Sequence, residues 1–388
     1  MTRRRSYSTS TYIRQRGLSL IEVMVAMGIG LLLIAGVTQL FIGSNQNFIV
    51  KESVSRMQED VRFAMDQFQR DMRMAGFQGC ARDVTDHLNP AGAEFNQFLL
   101  GSTPVFGWDY AFNGTLSGAG SQHALLEMTS AGSNWVAAAP GPLANNTLPA
   151  NFDDNFQPGS DVFVVNLGEV HNVQVIGVTN PPNARINLTA GTQLPVINNR
   201  VVVVASGDCT VADRFQRTND ADDSFVVKGD GGPGDLNNGA DPFSSDYLNN
   251  ATLIEYRSWV YFVRSTAAGP ELARRQIGPG TGGAAIETVV QGVENMQVLY
   301  GVSTGGLRNR VNQYVPANDV ADWDDVLSVR IALLLRTTEP VNPDTNFRIF
   351  NLLGTQINPS GANWDDIAGD RHIRLMATTT IGLRNRLE

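Results

Sequence analysis

Along the 388-residue chain the first clear pattern is an apolar run from Leu18 to Ile42, interrupted by the polar residues Ser19, Glu22, Thr38 and Gln39. As a helix rising ~1.5 Å per residue it would reach roughly 37 Å, enough to cross a bilayer. A short polar patch, GSNQN at 43–47, follows. The spacing then changes: Val54, Met57, Val61, Met65, Phe68 and Met72 recur every three or four residues, one stripe of an amphipathic helix. Charges four apart flank the stripe, Glu52 with Arg56, Arg56 with Asp60, Arg62 with Asp66 and Asp66 with Arg70. Gly76 is a stop signal. The pattern predicts one long helix, apolar all round in its first half and amphipathic in its second.

From Phe77 onward the period drops to two. DVFVVNLGEVHNVQVIGV (161–178) has the form of a hairpin and RVVVVASGDC of a buried strand, while IEYRSWVYFVR (254–264) is apolar on both faces. VENMQVLYGV puts Met296, Val298 and Tyr300 on one side. In VLSVRIALLLR, Leu327, Val329, Ile331, Leu333 and Leu335 alternate with residues that include Arg330 and Arg336. In IRLMATTTIGLR, Ile373, Leu375, Ala377, Thr379 and Ile381 share a face. The fold class expected is α+β: a long N-terminal helix packed on a large, β-rich, mainly antiparallel domain. The Gly- and Asp-rich stretch at 228–246 is expected to be an exposed loop and to mark a subdomain boundary.

Composition narrows the class. With 42% hydrophobic and 17% charged residues the bulk of the chain is globular. A net charge of −9 without a basic stripe argues against nucleic acid as a partner. The positive charge is placed at the start: Arg3, Arg4, Arg5, Arg14 and Arg16 precede the apolar run, and no acidic residue stands before Glu22. That bias holds the N-terminus in the cytoplasm and sends the rest of the chain outward. Cys80 and Cys209 are the only cysteines. In an oxidising compartment they would pair as a disulfide, the alternative being two separate buried thiols.

Enzyme signatures do not survive their context. GDGGPG (229–234) and GPGTGG (278–283) match G-x-G-x-x-G, yet neither sits in a βαβ unit. Neither lysine, Lys51 or Lys228, follows a glycine, so there is no Walker A loop. GVSTG (301–305) resembles a nucleophile elbow, but GLRNRVNQYV is a poor helix start, and Ser303 reads as a turn residue. The histidines, His87, His123, His171 and His372, are scattered, and Asp220, Asp222, Asp223, Asp230, Asp235 and Asp241 do not fit an EF-hand. No catalytic residue, metal or cofactor is expected.

Glu22 is then the anomaly. One turn into a membrane helix, an ionised carboxylate costs on the order of 3 kcal/mol unless it is paired. No convincing A-x-A cleavage site follows the apolar run, so an uncleaved anchor is one reading. Cutting between Gly17 and Leu18 gives another: Leu18 gains a free amine, Glu22 becomes the fifth residue, and the two groups can pair within a chain or between neighbours.

RGLSLIEVMVA resembles the class III, or prepilin-type, signal. The resemblance implies that a prepilin peptidase cuts after Gly17 and methylates Leu18, and that Glu22 is the assembly glutamate. Leu18 stands where Phe is commoner. RMAGFQGC, GVENMQVLYGV, DWDDVLSVRIALLLR and ATTTIGLRNR resemble segments of the PilW family of minor pilins. The turn after MQVLYG, often Asp-rich in that family, here holds no acidic residue, which argues against a metal site there.

The organisation implied is a leader (1–17), a transmembrane and assembly helix (18–42), an amphipathic helix (43–76) and a periplasmic β-rich domain (77–388). The function implied is priming of type IV pilus assembly at the pilus tip, serving twitching motility and adhesion. Partners would be other minor pilins, the major pilin, prepilin peptidase, inner-membrane lipid and a tip adhesin. A minor pseudopilin of type II secretion and a membrane-anchored periplasmic binding domain are the alternatives.

Overall fold

The computed structural model describes residues 17, 19–81, 84–88, 103–111, 125–127, 134–136, 156–179, 184–191, 200–219, 224–229, 238–239, 241–248, 250–278, 285–305, 310–343, 345, 348–358 and 370–384. They form one α-helix, α1 (Leu20–Met74), followed by β structure with two short 3-10 turns at Ala317–Asp319 and Trp323–Asp325. The strands are β1 (Val84–Asp86), β2 (Val105–Ala111), β3 (Leu125–Glu127), β4 (Asn134–Val136), β5 (Val162–His171), β6 (Val175–Thr179), β7 (Arg185–Leu188), β8 (Val201–Ala205), β9 (Ala212–Gln216) and β10 (Phe225–Val227). They continue as β11 (Thr252–Thr266), β12 (Gly269–Ile277), β13 (Glu287–Gln291), β14 (Val293–Val302), β15 (Gln313–Val315), β16 (Val326–Arg336), β17 (Phe350–Leu352), β18 (Thr355–Asn358) and β19 (Arg374–Gly382). An α+β architecture with a mainly antiparallel β-rich domain is therefore observed.

Polar Gly43–Asn47 does not interrupt α1, because one weak turn inside strong helix formers costs less than two new unsatisfied ends. The helix stops where Gly76 takes a φ of +71° and its N–H bonds Asn166 O at 2.8 Å. A side chain there would meet the Pro104 ring at 2.9 Å, so both backbone and space require glycine.

The nine-stranded sheet centres on β11, the 15-residue strand. One side of β11 pairs with β5; the other pairs with β8 over Thr252–Tyr256 and then with β12 over Ser258–Thr266. Such a strand is buried on both faces, which explains its continuous apolar and aromatic sequence. A second sheet runs β15-β14-β16-β19, and two three-stranded sheets run β10-β7-β6 and β17-β18-β3.

The stripe on α1 belongs to the main core. Met57, Phe68 and Met72 are buried there, and Val54, Val61 and Met65 pack against it. Phe68 meets Phe163 and Tyr261 edge-on, with centroids 5.7 and 5.3 Å away, and those two rings stack on each other at 5.0 Å. The inner face of β14 and β16 completes this core through Met296, Val298, Val329, Ile331 and Leu333. Their outer face is covered in part: Ala332 and Leu334 form a separate cluster with Tyr110, Phe350, Leu352 and Ile357.

Two expectations change. The 161–178 segment is not a hairpin: β5 pairs with β2 and β11, whereas β6 pairs with β7 in a different sheet. The apolar run in each strand was visible, but β5 takes partners far away in sequence, β2 and β11, while β6 turns back on the next strand, β7. The described part of 228–246 is anchored at Lys228, Asn238 and Phe243, which are buried, and exposed at Asp241, Pro242, Ser244 and Asp246; residues 230–237 and 240 lie outside the described residues. Asn238 reads both backbone groups of Gln216, accepting from its N–H and donating to its carbonyl, each at 2.7 Å.

Candidate functional site

The N-terminal site is built on a capping box. The Ser19 hydroxyl accepts from Glu22 N–H at 3.2 Å, and Glu22 Oε2 accepts from the Ser19 N–H at 3.0 Å and its hydroxyl at 3.1 Å. Within one chain, therefore, Glu22 starts its own helix. Its second oxygen, Oε1, has no partner among the described residues, and the side chain is exposed. Gly17 is exposed with open space around it. Leu18 lies outside the described residues, as do Asp220, Asp222, Asp223, Asp230, Asp235 and most of both G-x-G-x-x-G stretches.

In the first half of the helix beyond this box, the large apolar side chains from Leu20 to Ile42 are exposed. Leu20, Leu32 and Leu40 are 76–81% exposed, and no residue of the most apolar 18-residue window is buried. Such a surface needs lipid or other helices around it. Residues 1–53 form a compact unit distinct from residues 54–388.

In the larger unit Cys80 and Cys209 are joined in a disulfide that links the segment after α1 to the β8–β9 turn. Cys209 takes a φ of +62° there, and Gly79 sits so close to Ala205 and Ile254 that a side chain would collide with them.

Four buried polar clusters had no sequence signal, because their members lie far apart in the chain. Asp71 of α1 accepts from the Tyr261 hydroxyl and from Arg274 Nη1 at 3.2 Å, fixing the helix to β11 and β12. Glu294 accepts from Arg374 Nε at 2.7 Å and Nη2 at 2.9 Å, a forked pair that Asp370 extends. Asp213 accepts from Ser244, Tyr247 and His87, and His87 Nδ1 faces Lys228 Nζ at 3.2 Å. Burial pushes the Asp213 carboxyl up, but those hydrogen bonds outweigh it and hold the group below the usual carboxylate range.

The fourth cluster is a carboxyl pair. Asp161 accepts from Tyr110 N–H at 3.1 Å and Val298 N–H at 2.8 Å, tying the large sheet to the four-stranded one. Burial raises Asp161, and the nearby Asp109 adds to it. Burial likewise lifts Asp109 to about 6, assisted by Asp319. Ser303 donates its N–H to Asp325 O at 3.0 Å beside the β14 end. Among the described residues no three His, Cys, Asp or Glu side chains are placed to hold a metal.

A processing motif opening an exposed apolar helix, joined to a β-rich domain, defines a type IV pilin-like protein. Residues 13–38 match the model of the prokaryotic N-terminal methylation motif, and residues 260–385 match that of type IV pilus-assembly protein W. The two matches, at opposite ends of the chain, support a minor pilin of the PilW family. They describe a structural pilin rather than an enzyme family, and with the apolar helix they fit a single-pass inner-membrane pilin. No curated protein and no solved structure matches the chain.

Proposed function

We propose that the chain is a minor pilin precursor whose residues 1–17 are removed by prepilin peptidase on the cytoplasmic side. Leu18 becomes the methylated N-terminus, and residues 18–42 hold the protein in the inner membrane before assembly. The domain from residue 77 onward lies in the periplasm and docks onto other minor pilins, the major pilin and a tip adhesin. The complex primes the pilus and stays at its tip. One observation carries the reading: Glu22, fifth after Gly17, stands exposed in an apolar helix inside the matched methylation motif. A neighbour's terminal amine reaching Oε1 turns an uncompensated carboxylate into a register device without dismantling the capping box. The test is the N-terminal residue and intact mass of the membrane protein, with and without the peptidase. A chain beginning at Leu18 with one added methyl, lost without the peptidase, is expected. A chain beginning at Met1 in both strains overturns the reading.

A further inference from the structure

β19 closes the four-stranded sheet on one side. Its ladder to β16 runs without a bulge from Ser328↔Gly382 to Arg336↔Arg374, and among the described residues β19 pairs with nothing else. Two bonds fix which backbone groups are used. Leu383 N–H donates to Leu327 O at 2.8 Å, and Thr337 N–H donates to Ile373 O at 2.9 Å. Both join residues that sit directly opposite, so odd positions from 373 to 383 turn their backbone towards β16. Met376, Thr378, Thr380 and Gly382 turn theirs to the open side, and all four are exposed.

Natural edges are blunted by charge, proline, a bulge or a covering element. Here LMATTTIGL, 375–383, has no charge and no proline. Arg374 and Arg384 bracket this stretch, and Arg330 lies beside its middle, opposite Thr380. The Arg330 guanidinium stacks on Tyr314 at 3.9 Å, and its Nε donates to the Thr380 hydroxyl at 3.1 Å, which fixes the group on the outer face beside the edge strand. Among the described residues Arg330 meets no carboxylate, unlike Arg336 and Arg374 of the same sheet, which both reach Glu294.

We infer that the open edge of β19 receives a β-strand from a different pilin-class subunit, one carrying a carboxylate that reaches Arg330. Alternating N–H and C=O groups on an extended edge are satisfied by another strand. A second copy of this chain pairing through its own β19 brings no acidic residue between 374 and 383, so self-pairing leaves Arg330 unanswered. The inference rests on the minor-pilin reading and adds the surface and chemistry of one contact.

The experiment takes the processed full chain, alone and co-expressed with tagged major and minor pilins of the same cell, in detergent. Hydrogen exchange is read residue by residue. The Thr378 and Thr380 amides are expected to exchange freely in the chain alone and to be protected in the complex. Thr378→Pro removes one outward N–H while sparing the β16 ladder, and is expected to lower the co-purified pilin several-fold to about tenfold. Thr378→Lys, which keeps the backbone, and Arg330→Gln are expected to act in the same direction. A complex that forms with those amides still open, and with all three variants retaining it, overturns the inference alone. Protection that needs only a second copy and ignores Arg330→Gln overturns it in favour of self-pairing. Failure of the wild-type chain to retain any pilin removes both the inference and the reading beneath it.

Discussion

The two halves of α1 are one continuous helix with opposite fates. Leu32 of the first half is 76% exposed, while Phe68 of the second is completely buried between two aromatic rings. Both are large and apolar, and what separates them is periodicity. Residues 54–72 gather their apolar side chains, apart from the exposed Phe63, into one stripe, which the chain's own sheets can cover. Residues 20–42 spread theirs all round, and no single neighbouring element can cover a full cylinder. The lesson is that one half is satisfied by its own chain and the other waits for lipid or other helices.

The sharpest way to break this comparison is to truncate one residue in each half. Phe68→Ala is expected to cost about 3–5 kcal/mol, since it opens a cavity in the main core. Leu32→Ala should stay within about 0.5 kcal/mol in the same assay. Urea unfolding of the detergent-solubilised full chain, followed by the fluorescence of buried Trp108 and Trp323, reads both. Equal losses would mean that the first half also packs on its own chain.

A smaller effect is expected from Cys80→Ser with Cys209→Ser. Loss of the cross-link should destabilise the chain by about 2–4 kcal/mol, the usual range for a native disulfide. The same unfolding measurement checks it, and an unchanged midpoint would show that the segment after α1 is held by its backbone bonds alone.

Smallest is the carboxyl pair. The folded state keeps Asp109 protonated up to about pH 6, whereas the unfolded chain releases that proton near 3.8. An acid whose folded pKa is raised contributes stability below its unfolded value and loses it as pH rises through the folded one. Stability should therefore decline between about pH 4 and pH 6 through this site, by about 1–3 kcal/mol. Asp109→Asn should flatten that slope and gain stability at pH 7. A slope unchanged in the variant would place the titration elsewhere. Asp161 is the second member of the pair, and Asp319 and Tyr300 are the other titratable groups that interact with it.

Much of this was legible in the chain. The α1 stripe and the strands at 201–205, 252–266, 293–302, 326–336 and 374–382 follow from local period. Pairing was less legible: the runs at 162–171 and 175–179 are close in sequence and belong to different sheets. The polar clusters were not legible at all. Glu294 and Arg374 are 80 residues apart, and His87 and Asp213 are 126 apart, so no window contains both members. The unblunted edge of β19 was readable as uncharged sequence, but its openness depends on what lies beside it. Only the fold shows which of its amides face outward.

The disulfide sets what happens when the molecule is pulled. Cys80 follows the end of α1 at Met74 by six residues, and its partner lies 129 positions further along. Tension that enters along the helix and leaves through any point beyond Cys209 crosses from sulfur to sulfur. The 128 residues between the cysteines are then outside the load path. Stretched at ~3.5 Å per residue they would represent roughly 450 Å of slack. An oxidised chain keeps that length stored, and a reduced one can pay it out.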